Sequence, residues 1–233
     1  LKRLIAAFLA TVALASPAAA APACPADTSS AAYLCRAVDA ADHQRFAEAA
    51  DNFDKAAAEA KAGEPQTQRL LAAAGNMWIA AGQPGKAALA LDRALTGTGL
   101  QAEQRGLALL DRARAAEAQN DIKGARRFFT QAAPTLDRDP FAWYFSAALA
   151  VREGDLATAR TSIGRALSLA PTMPEALFEA GHIANEEGDS VGARDYWTRA
   201  IAADPDGKIA ASAKAALTAL GPAVSLAPAA PSR

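Results

Sequence analysis

Aromatic residues make up only 6% of this 233-residue chain, which has two cysteines and two histidines. Runs in which β-branched and polar residues alternate are missing, and that excludes a sheet-rich fold. Charge of neither sign dominates: 24 basic residues face 25 acidic ones, for a formal net charge of -1, with no basic block. A nucleic-acid partner needs a clustered positive surface, so that class is excluded. No phosphate-binding loop, nucleophile elbow, H-E-x-x-H helix or paired Cys-x-x-Cys occurs. The expectation is a non-catalytic chain without a cofactor. What the chain has in quantity is alanine, the strongest helix former, within a hydrophobic content of 52%.

The alanines are periodic. Ala49, Ala87, Ala125, Ala159 and Ala193 sit in similar surroundings, with two steps of 38 residues followed by two of 34. A period near 34 marks a helix–turn–helix solenoid. In residues 140–171, Trp143, Ala147, Ala159, Ala166 and Pro171 occupy fixed offsets. Leu177, Gly181, Ala193, Ala200 and Pro205 repeat them in 174–205, with Trp197 at the bulky position between helices. Gly154 and Gly188 suit the end of each first helix, where a left-handed residue caps free carbonyls. Asp155 and Asp189 follow and can accept from the next helix's free N–H groups. Pro171 and Pro205 stop each second helix.

These two units resemble the tetratricopeptide repeat. Weaker units lie at 68–95 (Gly75, Trp78, Gly82, Ala87, Ala94), at 106–133, where Asn120 replaces the turn glycine, and at 30–57, where Gln44-Arg45 stands at the turn. The resemblance implies an all-α, right-handed superhelical solenoid of about five units. The four extra residues in each longer step amount to about one helical turn. A longer helix or a looser loop fits that length, and Gly63, Pro65, Gly97 and Gly99 favour the loop. Ile209, Ala213, Leu217 and Leu220 share one face of a terminal capping helix over 206–220. Gly221-Pro222 breaks it, and 221–233 is a Pro/Ala-rich tail expected to lack order.

The start of the chain reads as a sorting signal. Lys2 and Arg3 precede an apolar stretch, Leu4 through Ala15, too short to span a bilayer. Small residues then predict cleavage after Ala20, which makes the chain periplasmic or secreted, without stable membrane insertion; an uncut anchor is the alternative. Residues 21–29 form an N-terminal tail. Cys24 and Cys35 are an even pair in an exported chain and are expected to bond, worth about 2–4 kcal/mol. Two free thiols, or a lipid on Cys24, are the other options.

The resemblance places the binding surface on the concave wall lined by the first helix of each unit. Carried over by position, the groove residues are Asn76, Leu110, Arg114, Phe141, Tyr144, Phe145, Arg152, Phe178, His182 and Asn185. The aromatics are natural anchors for a partner. Some relatives grip a C-terminal carboxylate with lysines, but here Ala72, Leu110, Tyr144 and Phe178 stand at that position. Arg114 and Arg152 suit an acidic partner, and Glu179 and Glu186 a basic one. Glu175, Glu179, His182 and Glu186 also share one helix face, a pattern that can hold a divalent metal. The bland reading is an acidic patch, and the expectation is no metal. The functional expectation is an envelope scaffold holding a protein or peptide of unknown identity. A structural subunit of an assembly machine, or a homo-oligomer, is the alternative.

Overall fold

A computed structural model describes residues 24–61 and 64–221. The predicted signal segment 1–20, Gly63 and nearly all of the C-terminal tail lie outside these residues. Within them the chain forms eleven α-helices, one short 3-10 turn and no strand. The helices pack in antiparallel pairs. These are α1 (Ser30–Asp42) with α2 (Phe46–Glu59), α3 (Pro65–Ala80) with α4 (Pro84–Thr96), and α5 (Ala102–Ala118) with α6 (Ile122–Ala132). Then come α7 (Pro140–Glu153) with α8 (Leu156–Leu169), and α9 (Pro174–Glu186) with α10 (Ser190–Ala203). A last helix, α11 (Lys208–Leu220), lays Ile209, Ala213, Leu217 and Leu220 against the end of the stack.

All five pairs turn in the same way. One residue takes a left-handed backbone: Gln44 (φ 57°), Gly82 (69°), Asn120 (62°), Gly154 (75°) and Gly188 (82°). The N–H of the next residue then donates back to a carbonyl of the first helix: Arg45 to Ala40, Gln83 to Trp78, Asp121 to Ala116, Asp155 to Ala150 and Asp189 to Ala184, all at 2.8–2.9 Å. This satisfies carbonyls that a helix end leaves without partners. Three of those next residues also cap the following helix. Asp121, Asp155 and Asp189 accept from the N–H groups of Gly124, Thr158 and Gly192 at 2.9, 3.0 and 2.8 Å. Hydrogen bonds from Thr158 hold the Asp155 carboxyl below its ordinary value.

Small residues close each hairpin. Ala37, Ala49, Ala56, Ala87, Ala94, Ala113, Ala125, Ala132, Ala147, Ala159, Ala166, Ala193 and Ala200 are all fully buried. Gly75 and Gly181 complete the set, because a Cβ there would strike Leu91 and the Trp197 indole. The indoles are tied as well as packed: Trp78 donates to Asp54 (2.8 Å) and Trp197 to the Phe178 carbonyl (3.1 Å).

The extra residues of the 38-residue steps are taken up largely in helix. α3 and α5 run to 16 and 17 residues, against 13 or 14 for α1, α7 and α9. Pro65, expected in a loop, instead opens α3 at a position where its missing N–H costs nothing. Gly97 and Gly99 do lie in the connection before α5.

Between the third and fourth pairs the packing changes character. Large side chains fill the joint: Leu109, Phe129, Leu136, Phe145 and Leu149, with the Phe129 and Phe145 rings 6.3 Å apart. Arg126 crosses it to Glu153 (2.6 Å) and to the Ser146 hydroxyl (3.2 Å). At the other end, Cys24 is disulfide-bonded to Cys35, and Arg36 donates to the carbonyls of Pro25 and Asp27. The segment before α1 is thereby held against it.

Candidate functional site

The first helices of four successive pairs line one wall, and that wall is hollowed. A recess of about 610 Å³ is bounded by Val38, Phe53, Met77, Leu107, Leu110 and Phe141, with Asn76, Asp111, Arg114 and Asp139 as its polar members. A smaller recess of about 210 Å³ shares Leu107 and Asp111 with it and continues along α3 and α5 past Arg69 and Gln104. A third, about 480 Å³, shares Arg69 and Gln104 and ends at Pro65 and the 98–101 connection. Together they form a trough along the α3–α5 junction, with its outer end at the added first turns of those helices.

The main recess is apolar with one polar spine, whereas the outer end, lined by Arg69, Thr98, Gln101 and Gln104, is more polar. Asp111 accepts from the Asn76 amide (2.9 Å) and from the Arg114 guanidinium (2.8 Å), which lies over the Phe141 ring at 5.3 Å from its centre. This network fixes the side chains without using up their polar capacity. The Asn76 carbonyl can accept, and Arg114 keeps further N–H groups. An extended backbone needs such a donor and acceptor. Asp139 is occupied in capping α7, accepting from Phe141 (2.8 Å) and Ala142 (3.3 Å).

Solved structures share this architecture. YrrB, a tetratricopeptide-repeat protein with an unusual peptide-binding site, superposes with a TM-score of 0.57 at 19% identity, over 79% of this chain and 91% of its own. A tetratricopeptide repeat protein from Parabacteroides merdae gives 0.63 at 16% identity, over 81% and 72%. PilW, a widely conserved type IV pilus biogenesis factor, gives 0.64 at 17% identity, over 78% and 81%. The fold is the tetratricopeptide-repeat solenoid. No protein-family model matches the sequence, and neither does any curated protein.

Within this solenoid the residues expected in the groove separate into three groups. Asn76, Leu110, Arg114 and Phe141 come together in the main recess. Tyr144, Phe178 and His182 lie further along the wall, half-buried, and Asn185 is exposed at its edge. Phe145 is not on the wall: it is 6% exposed and packs on Phe129 inside the joint. One step along a helix rotates a side chain by about 100°, enough to carry it from wall to core. Arg152 is not free for an acidic partner, since it donates to Glu117 and to Asn120. His182 stands edge-on to Phe178 and Trp197, with ring centres 4.5 and 5.4 Å away, and burial lowers its pKa. Among the described residues, no three His, Cys, Asp or Glu side chains converge as metal ligands.

Val38, Phe53 and Met77 line the recess without having been expected there. Position matching along the first helices passed over Val38 and Met77, and Phe53 belongs to a second helix. No sequence pattern marked them; the sign is structural, Val38 being a large apolar side chain left 47% exposed. Among the described residues, no helix is long and apolar enough to cross a membrane.

Proposed function

We propose that the chain is an exported, non-catalytic scaffold of the bacterial cell envelope, whose trough holds a peptide or helix of a partner protein. The observation that carries this reading is the recess of about 610 Å³, floored by Met77, Leu110 and Phe141 and edged by Asn76 and Arg114. An apolar floor with a few fixed polar groups is the usual form of a recognition site. The stacked pairs supply the rigid frame such a surface needs. Export draws support from the leader-like residues 1–20 and from the Cys24–Cys35 bond, since disulfides persist in oxidising compartments. The peptide-binding site of YrrB and the pilus role of PilW fit this reading, though at these identities the likeness extends to the fold alone.

Leu107→Asp tests it. The side chain is 43% exposed at the trough edge, so a charge there alters the surface more than the core. Capture of partners from periplasmic extract is expected to fall at least tenfold, with thermal melting unchanged. Undiminished capture removes the trough from the function. N-terminal sequencing of the periplasmic fraction is expected to find a chain beginning at Ala21, and an uncleaved cytoplasmic chain overturns export.

A further inference from the structure

Three carboxylates on the wall helices α5 and α7 are answered by cations of the chain, and the exception, Glu103 in the first turn of α5, is exposed to solvent. Asp111 pairs with Arg114 (2.8 Å), Glu117 with Arg152, and Glu153 with Arg126 (2.6 Å). On α9 the pattern stops. Glu175, Glu179 and Glu186 make no ion pair among the described residues, although Glu187, one residue on, is paired with Arg160 at 3.0 Å. Glu179 is half-buried, and burial alone pushes its carboxyl above the ordinary value, with no nearby cation drawing it down.

Tyr144 on α7 packs against the cluster that contains Ala176 and Ala180 of α9, the helix that carries these carboxylates. Its phenol is raised first by burial and then by the charges of Glu179, Glu175 and Glu117. Arg114 acts on it in the opposite sense, but that guanidinium is already held by Asp111. Tyr144 and Phe141 lie with ring centres 5.6 Å apart, so the carboxylates border an aromatic surface that leads back to the main recess at Phe141. His182 does not complete a metal site with them, because its ring is turned against Phe178 and Trp197.

A half-buried carboxylate without a cation is costly, and a glutamine of the same shape would avoid that cost. Such a departure marks a place where the missing charge arrives from outside. An aromatic face beside carboxylates is suited to an ammonium or guanidinium group, which gains from ring and ion pair together. Resting on the scaffold reading above, we infer that the partner segment is cationic: it sets a lysine or arginine side chain between Tyr144 and Glu179, with Glu175 beside it, and lays its apolar residues over Phe141 and the Leu107–Met77 recess. Free carboxylates here also repel acidic segments, so the same groups select against the opposite charge.

The test is selection from a displayed library of random 12-residue peptides on the purified full chain, followed by anisotropy titrations of the recovered peptides. The expected peptides are enriched in lysine and arginine next to apolar residues. They lose at least tenfold in affinity for the Glu175→Gln, Glu179→Gln double variant, whose melting by circular dichroism is unchanged. A Glu179→Lys variant is expected to recover acidic peptides instead, which keeps the test open should the double variant fold poorly. Peptides that depend on Leu107 but are neutral or acidic, or that ignore both glutamates, overturn this inference and leave the trough in place. Recovery of no peptide sensitive to Leu107→Asp overturns both.

Discussion

In α1–α6 the left-handed turn position is held by Gln44, Gly82 and Asn120, whereas in α7–α10 it is held by Gly154 and Gly188. The caps divide less sharply: in the first half Arg45 and Gln83 make no side-chain cap and Asp121 does, while in the second half Asp155 and Asp189 both do. The first half therefore builds the same hairpin from poorer local parts, and two of its first helices are longer by about a turn. That half also carries the trough, whereas the second half carries the unpaired carboxylates of α9. Local idealisation and surface specialisation are thus distributed differently along one array. The phenylalanine-rich joint between α6 and α7 is where the two meet.

Removing the joint has the largest expected effect. Phe145→Ala costs about 3–5 kcal/mol. Because pairs touch mainly their neighbours, denaturant unfolding followed by circular dichroism is expected to split into two transitions; a single unshifted transition refutes the joint. Gly181→Ala forces a Cβ onto the Trp197 indole and is expected to cost about 1–3 kcal/mol in the same assay. Caps can be exchanged between the halves. Asp189→Ala is expected to lose about 1 kcal/mol, and Gln83→Asp to gain a similar or smaller amount by supplying the second type of cap to the first type of turn. Equal stability of either variant with the wild type breaks the contrast. Gln44→Gly relieves a left-handed non-glycine residue and is expected to stabilise by about 1 kcal/mol, whereas Gly154→Gln does the reverse.

The smallest effect is on pH dependence. Burial raises the Glu179 carboxyl above its ordinary value, so the folded chain holds that proton more tightly than the unfolded chain. Its contribution to stability is fully present below the unfolded value and is lost as pH rises through the folded one. Glu179→Gln should therefore gain on the wild type between acid and neutral pH and keep a constant lead above. Parallel stability curves across that range contradict the burial.

The second half of the fold was legible because its signals are local. Glycine, aspartate and proline each act through their own backbone at the turn and the helix ends, so two units could be read in register. Position 44 could be placed at the turn only by its offset within the unit, because glutamine is not a left-handed residue by preference; the helices on either side of it bury Ala37, Ala49 and Ala56 completely. Pro65 was misplaced because proline serves a loop and a first helical turn equally well. At the site, Asn76, Arg114 and Phe141 could be placed from their phase along a helix. Phe145 could not, since its fate depends on how the third and fourth pairs meet. Nor could the capture of Arg152 by Glu117, a contact between residues 35 apart.

The bond between Cys24 and Cys35 bears on how the edge of the array responds to its surroundings. It closes a span of 11 residues onto α1, so the stretch around Pro25 and Asp27 travels with that helix whether or not α1 stays docked on α2. Chemical reduction would leave only the two Arg36 hydrogen bonds to hold that stretch, and its exposed backbone would then open to proteases in a reducing medium while staying shielded in an oxidising one.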